Sequence, residues 1–166
     1  FLAANEVRPG PIRIEADEAT YNLHIDLRFA LERRLAAGSL AAADLPAAWG
    51  EGLEARLGLR PENDAEGVLQ DMHWALGCLG YFPTYTLGNL YAAQLFAAAG
   101  EDLGDLDELV ARREWQPLRE WLRAKIHRHG SILPAERLIA EAAGRPAGTG
   151  ALLDHLRRRA GLVYSL

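Results

Sequence analysis

A chain of 166 residues, 49% hydrophobic and 25% charged with a mean hydropathy of −0.11, can bury a real core but is short for two comfortable domains. That balance excludes a disordered tail, and no apolar run approaches the ~20 residues of a membrane-spanning helix. Ala and Leu supply 29 and 28 residues against 14 for Val, Ile and Thr together, so the expected fold is all-α, one compact multi-helix unit with a short extended lead-in. Cys78 stands alone, which rules out an intrachain disulfide and suits a reducing cytosol. The net charge of −5 is uneven: residues 1–111 hold 7 basic and 18 acidic side chains, residues 112–166 hold 11 and 5.

The chain opens on Phe1-Leu2-Ala3-Ala4, with neither an initiator Met nor the features of a signal peptide, so a preceding segment is expected. Pro9, Gly10 and Pro11 keep the lead-in out of a helix. From about Glu15 to Ala37 the pattern is helical, with Leu23, Leu27, Leu31 and Leu35 on one stripe and Tyr21, Ile25 and Phe29 beside it. Asp17, Tyr21, His24 and Arg28 form a narrow polar strip on the same helix, and a buried strip of that kind needs partners. Asp44-Leu45-Pro46 predicts a cap and first turn for a helix ending at Gly58, and residues 67–74 predict a short helix. An apolar helix from about Thr84 to Ala99 is expected at the centre of the core, stopping at Gly100. Four amphipathic helices follow near 105–113, 117–128, 134–143 and 150–160, punctuated by Gly130, Gly144 and Gly161.

The five histidines form no H-E-x-x-H pair, and no glycine-rich phosphate loop or G-x-S-x-G elbow is present. His127-Arg128-His129 reads as a cationic helix end favoured by the dipole, and Arg157-Arg158-Arg159 as a solvated one. The stretch from Gln70 to Asn89 is less generic. It gathers Gln70, Asp71, His73, Trp74, Tyr81, Tyr85 and Asn89 around Gly77, Gly80 and Gly88. Phe82 before Pro83 favours an extended entry to a helix that Pro83 opens, with Tyr81 just ahead of it and Tyr85 in its first turn. Two phenols and an imidazole there can donate hydrogen bonds to a developing oxyanion, although a packed aromatic corner has the same composition.

Gly67-Val68-Leu69-Gln70-Asp71-Met72-His73-Trp74, together with Gly80-Tyr81-Phe82-Pro83-Thr84-Tyr85 running on to Gln94, resembles the C-terminal region of the thermostable (Taq-type) metallocarboxypeptidase family. Ile12-Arg13-Ile14-Glu15-Ala16-Asp17-Glu18 and the tail from Leu153 to Leu166 resemble two further blocks. The resemblance implies that residues 1–166 are the C-terminal portion of a larger, mainly helical, cytoplasmic and usually homodimeric enzyme that releases single residues from peptide C-termini. It implies a divalent ion, zinc or cobalt, held by an H-E-x-x-H helix and a downstream Glu expected upstream of Phe1, so no metal ligand is named in this sequence. By the same resemblance His73, Tyr81 and Tyr85 are candidate catalytic residues gripping the substrate carbonyl. Arg13 is the candidate fork for the substrate's terminal carboxylate, with Arg28 and Arg128 as competing cations, Asp17 and Glu18 orienting it or lining the cleft, and Asp71 orienting His73. The expected partner is a peptide, without nucleic acid or membrane, and the chain alone should be inactive. A different class of protein, a helical interaction or nucleic-acid-binding module, would use the basic C-terminal half.

Overall fold

The computed structural model describes residue 3 and residues 5–165. Phe1, Leu2, Ala4 and Leu166 lie outside the described residues, and with them the start of the chain and the last residue of its tail block. Among the described residues seven α-helices follow in order: α1 (Tyr21–Ala36), α2 (Leu45–Leu57), α3 (Pro83–Leu103), α4 (Leu106–Ala111), α5 (Gln116–Lys125), α6 (Ala135–Ala143) and α7 (Gly150–Tyr164). The described residues contain no strand, in keeping with the helix-forming composition. Among the described residues no helix is long and apolar enough to cross a membrane. The described residues divide into two compact units, one comprising Gly88–Arg158 and the other the rest.

In the first unit α1 and α2 pack through Leu27, Leu31, Leu45, Ala48, Trp49 and Leu53, all buried. Their close approach depends on Gly52, where an added Cβ would lie 2.4 Å from the Leu27 Cδ1. α2 ends as expected: Gly58 is left-handed at φ 72° and its N–H reaches the Glu54 carbonyl at 2.9 Å. Asp44 does not cap α2 through its side chain; it closes a 3-10 turn over Ala42–Asp44 that leads directly into the helix.

α1 is shorter than its periodicity predicts. Arg13–Glu15 form a separate 3-10 turn, and Asp17 gathers the chain before the helix: its carboxylate accepts from the backbone N–H of Arg8, Ala19 and Thr20 at 2.9 Å each and from the Thr20 hydroxyl at 2.8 Å. The apolar surface on two sides is also revised. Leu23 and Phe29 are 39% and 42% exposed, whereas the polar residues His24, Arg28 and Glu32, at successive helical turns, are buried.

Residues 67–74 form turns rather than a helix. Their polar side chains are committed to distant partners, and that outweighs a local helical preference. α3 opens at Pro83 as predicted, but it runs through Gly100 and stops before Gly104, whose φ is 89°. It is not the centre of the core either: Leu87 and Phe96 are both 43% exposed, and its buried residues are Gln94, Ala98 and Ala99.

In the second unit Ala98, Ala99, Leu106, Trp121 and Ala143 form the core. The Trp121 indole N–H donates to Asp102 at 2.7 Å, and Asp105 caps α4 by accepting from the Glu108 N–H at 3.0 Å. Gln94 is 3% exposed and satisfied on both ends, donating to the carbonyls of Arg145 and Pro146 and accepting from the Gly148 N–H. α7 passes the expected stop at Gly161 and ends at Tyr164.

Candidate active site

The polar face of α1, the lead-in and the segment from Gln70 to Tyr85 meet around one carboxylate. Asp71, with a side chain 9% exposed, receives Arg13 on Oδ1, from Nε at 3.1 Å and Nη2 at 2.7 Å. On Oδ2 it receives Arg28, from Nε at 2.6 Å and Nη2 at 2.5 Å. Gln70 completes the junction. Its Oε1 accepts from the Arg13 backbone N–H at 2.8 Å and Arg28 Nη2 at 2.7 Å, while its Nε2 donates to the carbonyls of Pro11 and Glu66. Two buried cations sharing one carboxylate and one amide are tolerable because their donors are met by charged or polar acceptors.

The electrostatics follow from that geometry. Burial disfavours the Asp71 anion, but the two guanidinium groups outweigh it and hold the carboxyl below its ordinary range. Burial likewise pulls against the charge on Arg13, and Asp71 and the Tyr21 hydroxyl at 2.9 Å more than offset it. For Arg28, which is fully buried, desolvation wins and brings the pKa to about 10 despite Asp71, with Arg13 adding like-charge repulsion. It stays cationic at neutral pH.

His24 is sealed behind this pair at 0% exposure, and burial followed by repulsion from Arg28 and Arg13 lowers its pKa to about 4. An unfolded histidine titrates near ~6.5, so the unfolded chain takes up this proton first. The stabilisation is therefore complete above about pH 6.5 and is lost as the pH falls toward about 4, a change of ~3 kcal/mol from this one group. In a proton NMR titration the His24 ring should still be neutral at pH 5; a midpoint near 6.5 would refute its burial as a neutral ring.

Beside the ion cluster stands an aromatic group. His73 Nε2 and the Tyr85 hydroxyl are 2.9 Å apart. The His73 ring packs on Phe82, Tyr81 and Tyr85 at centroid distances of 4.5, 5.6 and 5.7 Å. Tyr81 meets Tyr85 edge-on at 5.5 Å, and the Arg13 guanidinium lies 5.1 Å from the Tyr85 ring centre. Phe82, 1% exposed, roots the group in the core, while Tyr81 is 48% exposed. Burial raises the Tyr85 pKa, partly countered by Arg13, so the phenol keeps its proton at neutral pH.

Of the residues singled out from the sequence, Arg13, Asp71, His73, Tyr81 and Tyr85 are therefore neighbours. Asp71 turns to the arginines instead of orienting His73, whose Nδ1 lies 3.9 Å from Asp71 Oδ1, too far for a hydrogen bond. Asp17 is committed to the turn before α1, and Glu18 is exposed with Arg159 at 3.9 Å. Sequence reasoning did not name Gln70 or Tyr21 among the site residues and held Arg28 only as a competitor of Arg13 for the carboxylate; the polar strip on α1 was the available signal for Tyr21 and Arg28.

In the basic C-terminal half, Arg112, Arg119, Lys125, Arg137, Arg145 and Arg157 each have an acidic side chain within 4 Å. His127-Arg128-His129 is a short 3-10 turn after α5 with none of the three buried.

A family model for the carboxypeptidase Taq (M32) metallopeptidases matches residues 1–160. The chain belongs to this family. It is 51% identical over 144 residues to thermostable carboxypeptidase 1 of Pyrococcus furiosus, covering 87% of this chain and 29% of that protein. To thermostable carboxypeptidase 1 of Thermus thermophilus it is 47% identical over 163 residues, covering 98% of this chain and 32% of the relative. The crystal structure of an M32 carboxypeptidase from Deinococcus radiodurans superposes with a TM-score of 0.94 at 42% identity, over 99% of this chain and 33% of the other. The chain thus spans about a third of the length of the M32 relatives it matches.

The metal in the family's description finds no fit in the site just described. Asp71 is engaged by two guanidinium groups and His73 Nε2 by Tyr85, and no three His, Cys, Asp or Glu side chains gather as ligands among the described residues.

Proposed function

We propose that this chain forms the substrate-gripping wall of a metal-dependent carboxypeptidase that releases single amino acids from peptide C-termini. The single observation that carries the reading is the 2.9 Å pair of His73 and Tyr85 set between the exposed Tyr81 and the cationic Arg13. His73 Nδ1 is buried without a hydrogen-bond partner, so the ring proton is best placed on Nε2, donating to the Tyr85 oxygen. The Tyr85 O–H is then free to donate onward, and with Tyr81 it would steady a carbonyl oxygen as negative charge develops on it. Arg13 uses Nε and one Nη2 proton on Asp71 and one Nη1 proton on Tyr21, leaving one N–H on each terminal nitrogen among the described contacts. Those two donors suit a substrate's terminal carboxylate, with Asp71 aiming the fork. Asp17 supports the same wall by shaping the turn ahead of α1, and Glu18 lines its outer edge.

The same reading makes the chain the C-terminal portion of a longer cytoplasmic, homodimeric enzyme whose divalent ion, zinc or cobalt, is held by residues other than those described. Family likeness supports this, as does the exposed free thiol of Cys78 for a reducing compartment. The test is an assay of the complete enzyme on N-blocked peptides with a free or an amidated C-terminus. Stepwise release from the free acid alone is expected, abolished by a chelator and restored by a divalent ion. Equal cleavage of the amide would reject the carboxylate grip.

A further inference from the structure

Residues 69–81 carry His73 and Tyr81 and are tied to the buried core by Trp74, which packs edge-on against Trp49 and Phe82, while their large aliphatic side chains stay outside. Leu69, Met72, Leu76 and Leu79 are 68–70% exposed, and the segment has no regular secondary structure. Beyond the Trp74 contact its conformation depends on polar anchors, and α1 supplies one at each end. Arg28 grips Asp71 at the start of the segment. One helical turn further on, Glu32 accepts a hydrogen bond on Oε1 from the backbone N–H of Gly80, the residue immediately before Tyr81. Glu32 is 7% exposed and its Oε2 is buried without a hydrogen-bond partner, an arrangement with a desolvation cost and no gain except at Gly80. Gly80 sits at φ 76°, a left-handed conformation that aims its N–H inward and sets the direction in which the chain leaves for Tyr81.

The geometry points to Glu32 as a positioning residue that fixes the Tyr81 phenol through the Gly80 amide. The inference rests on the catalytic role proposed above for Tyr81, and the assignment concerns a residue that touches neither substrate nor reacting atoms. Arg28 and Glu32, spaced four residues apart on one buried face of α1, act as a two-point clamp on the segment that carries His73 and Tyr81.

The variants to make in the complete enzyme are Glu32→Met, which fills the buried slot without an acceptor, and Glu32→Gln, whose amide oxygen can still take the Gly80 N–H. Amide hydrogen exchange over residues 77–82 should accelerate at least ~10-fold in Glu32→Met and return near the parental rate in Glu32→Gln. Turnover should fall about 10-fold in Glu32→Met with KM within about twofold, recover in Glu32→Gln, and show no further fall when Glu32→Met is added to Tyr81→Phe. Unchanged exchange in Glu32→Met overturns the anchor itself. Independent, multiplying losses in the double variant overturn its action through Tyr81. Faster exchange with a fully active Tyr81→Phe enzyme overturns the catalytic reading of Tyr81 while leaving the anchor standing as a purely structural contact. Should Glu32→Met fail to fold, Gly80→Ala, which meets no atom within 4 Å but strains the left-handed φ, delivers the same exchange and turnover comparison from the other side of the bond.

Discussion

Replacing Tyr85 by Phe in the complete enzyme should lower kcat by ~10²–10³ while leaving KM and metal content close to their parental values. The ring itself stays anchored in the variant, because Phe keeps the edge contacts with Tyr81 and Tyr21 and the position under Arg13. What disappears is one O–H, the partner of His73 Nε2 at 2.9 Å. A donor that is already oriented, and whose proton is kept by burial, contributes most where charge appears only in the transition state, so its removal acts on turnover rather than on substrate affinity. Tyr81→Phe should follow the same pattern. Steady-state kinetics on a peptide with a free C-terminus, with metal content measured alongside, decide the matter. Unchanged turnover in both variants would remove these phenols from the mechanism.

Loss of Asp71 should be the most destabilising polar change in the first unit. Asp71→Ala leaves Arg28, which is completely buried, and Arg13, 7% exposed, facing each other without the shared anion. Breaking a buried pair in this one-sided way costs about 3–5 kcal/mol, because the remaining charge stays desolvated and unpaired. Trp49 provides the readout, since the Arg28 guanidinium lies 4.6 Å from its ring and Trp74 meets it edge-on at 6.2 Å. Urea unfolding followed by tryptophan fluorescence should show an earlier midpoint at an unchanged slope. Combining Asp71→Leu with Arg28→Met should recover most of the loss, because exchanging an entire buried ionic contact for apolar packing is far less costly than removing one partner. A midpoint for Asp71→Ala within error of the parent would show that the cluster contributes nothing net to folding.

α2 was legible almost to the residue because local chemistry marks both of its ends, with Pro46 inside the first turn and Gly58 just past the last. Pro83 identified the start of α3 for the same reason. Two ends were misread because glycine stood inside a helix: Gly100 and Gly161 are passed through, since packing along the rest of the helix outweighs the ~1 kcal/mol a helical glycine costs. Residues 67–74 were misread for the opposite reason, their helical spacing overridden by contacts of Gln70 and Asp71 with Arg13 and Arg28.

Taken by itself, the sequence determined the all-helical class, most helix limits, the family, and the run of residues in which the candidate site lies. These properties follow from composition, capping chemistry and contiguous motifs, all of which act over a few neighbouring positions. Only the tertiary structure decided which partners the site residues have. Asp71 faces Arg13 and Arg28, 58 and 43 positions away in the chain, and Glu32 reaches Gly80 across 48. No local pattern encodes such pairings, because they are chosen by which side chains α1 buries against the turn-rich segment and by the need of every buried charge for an opposite one.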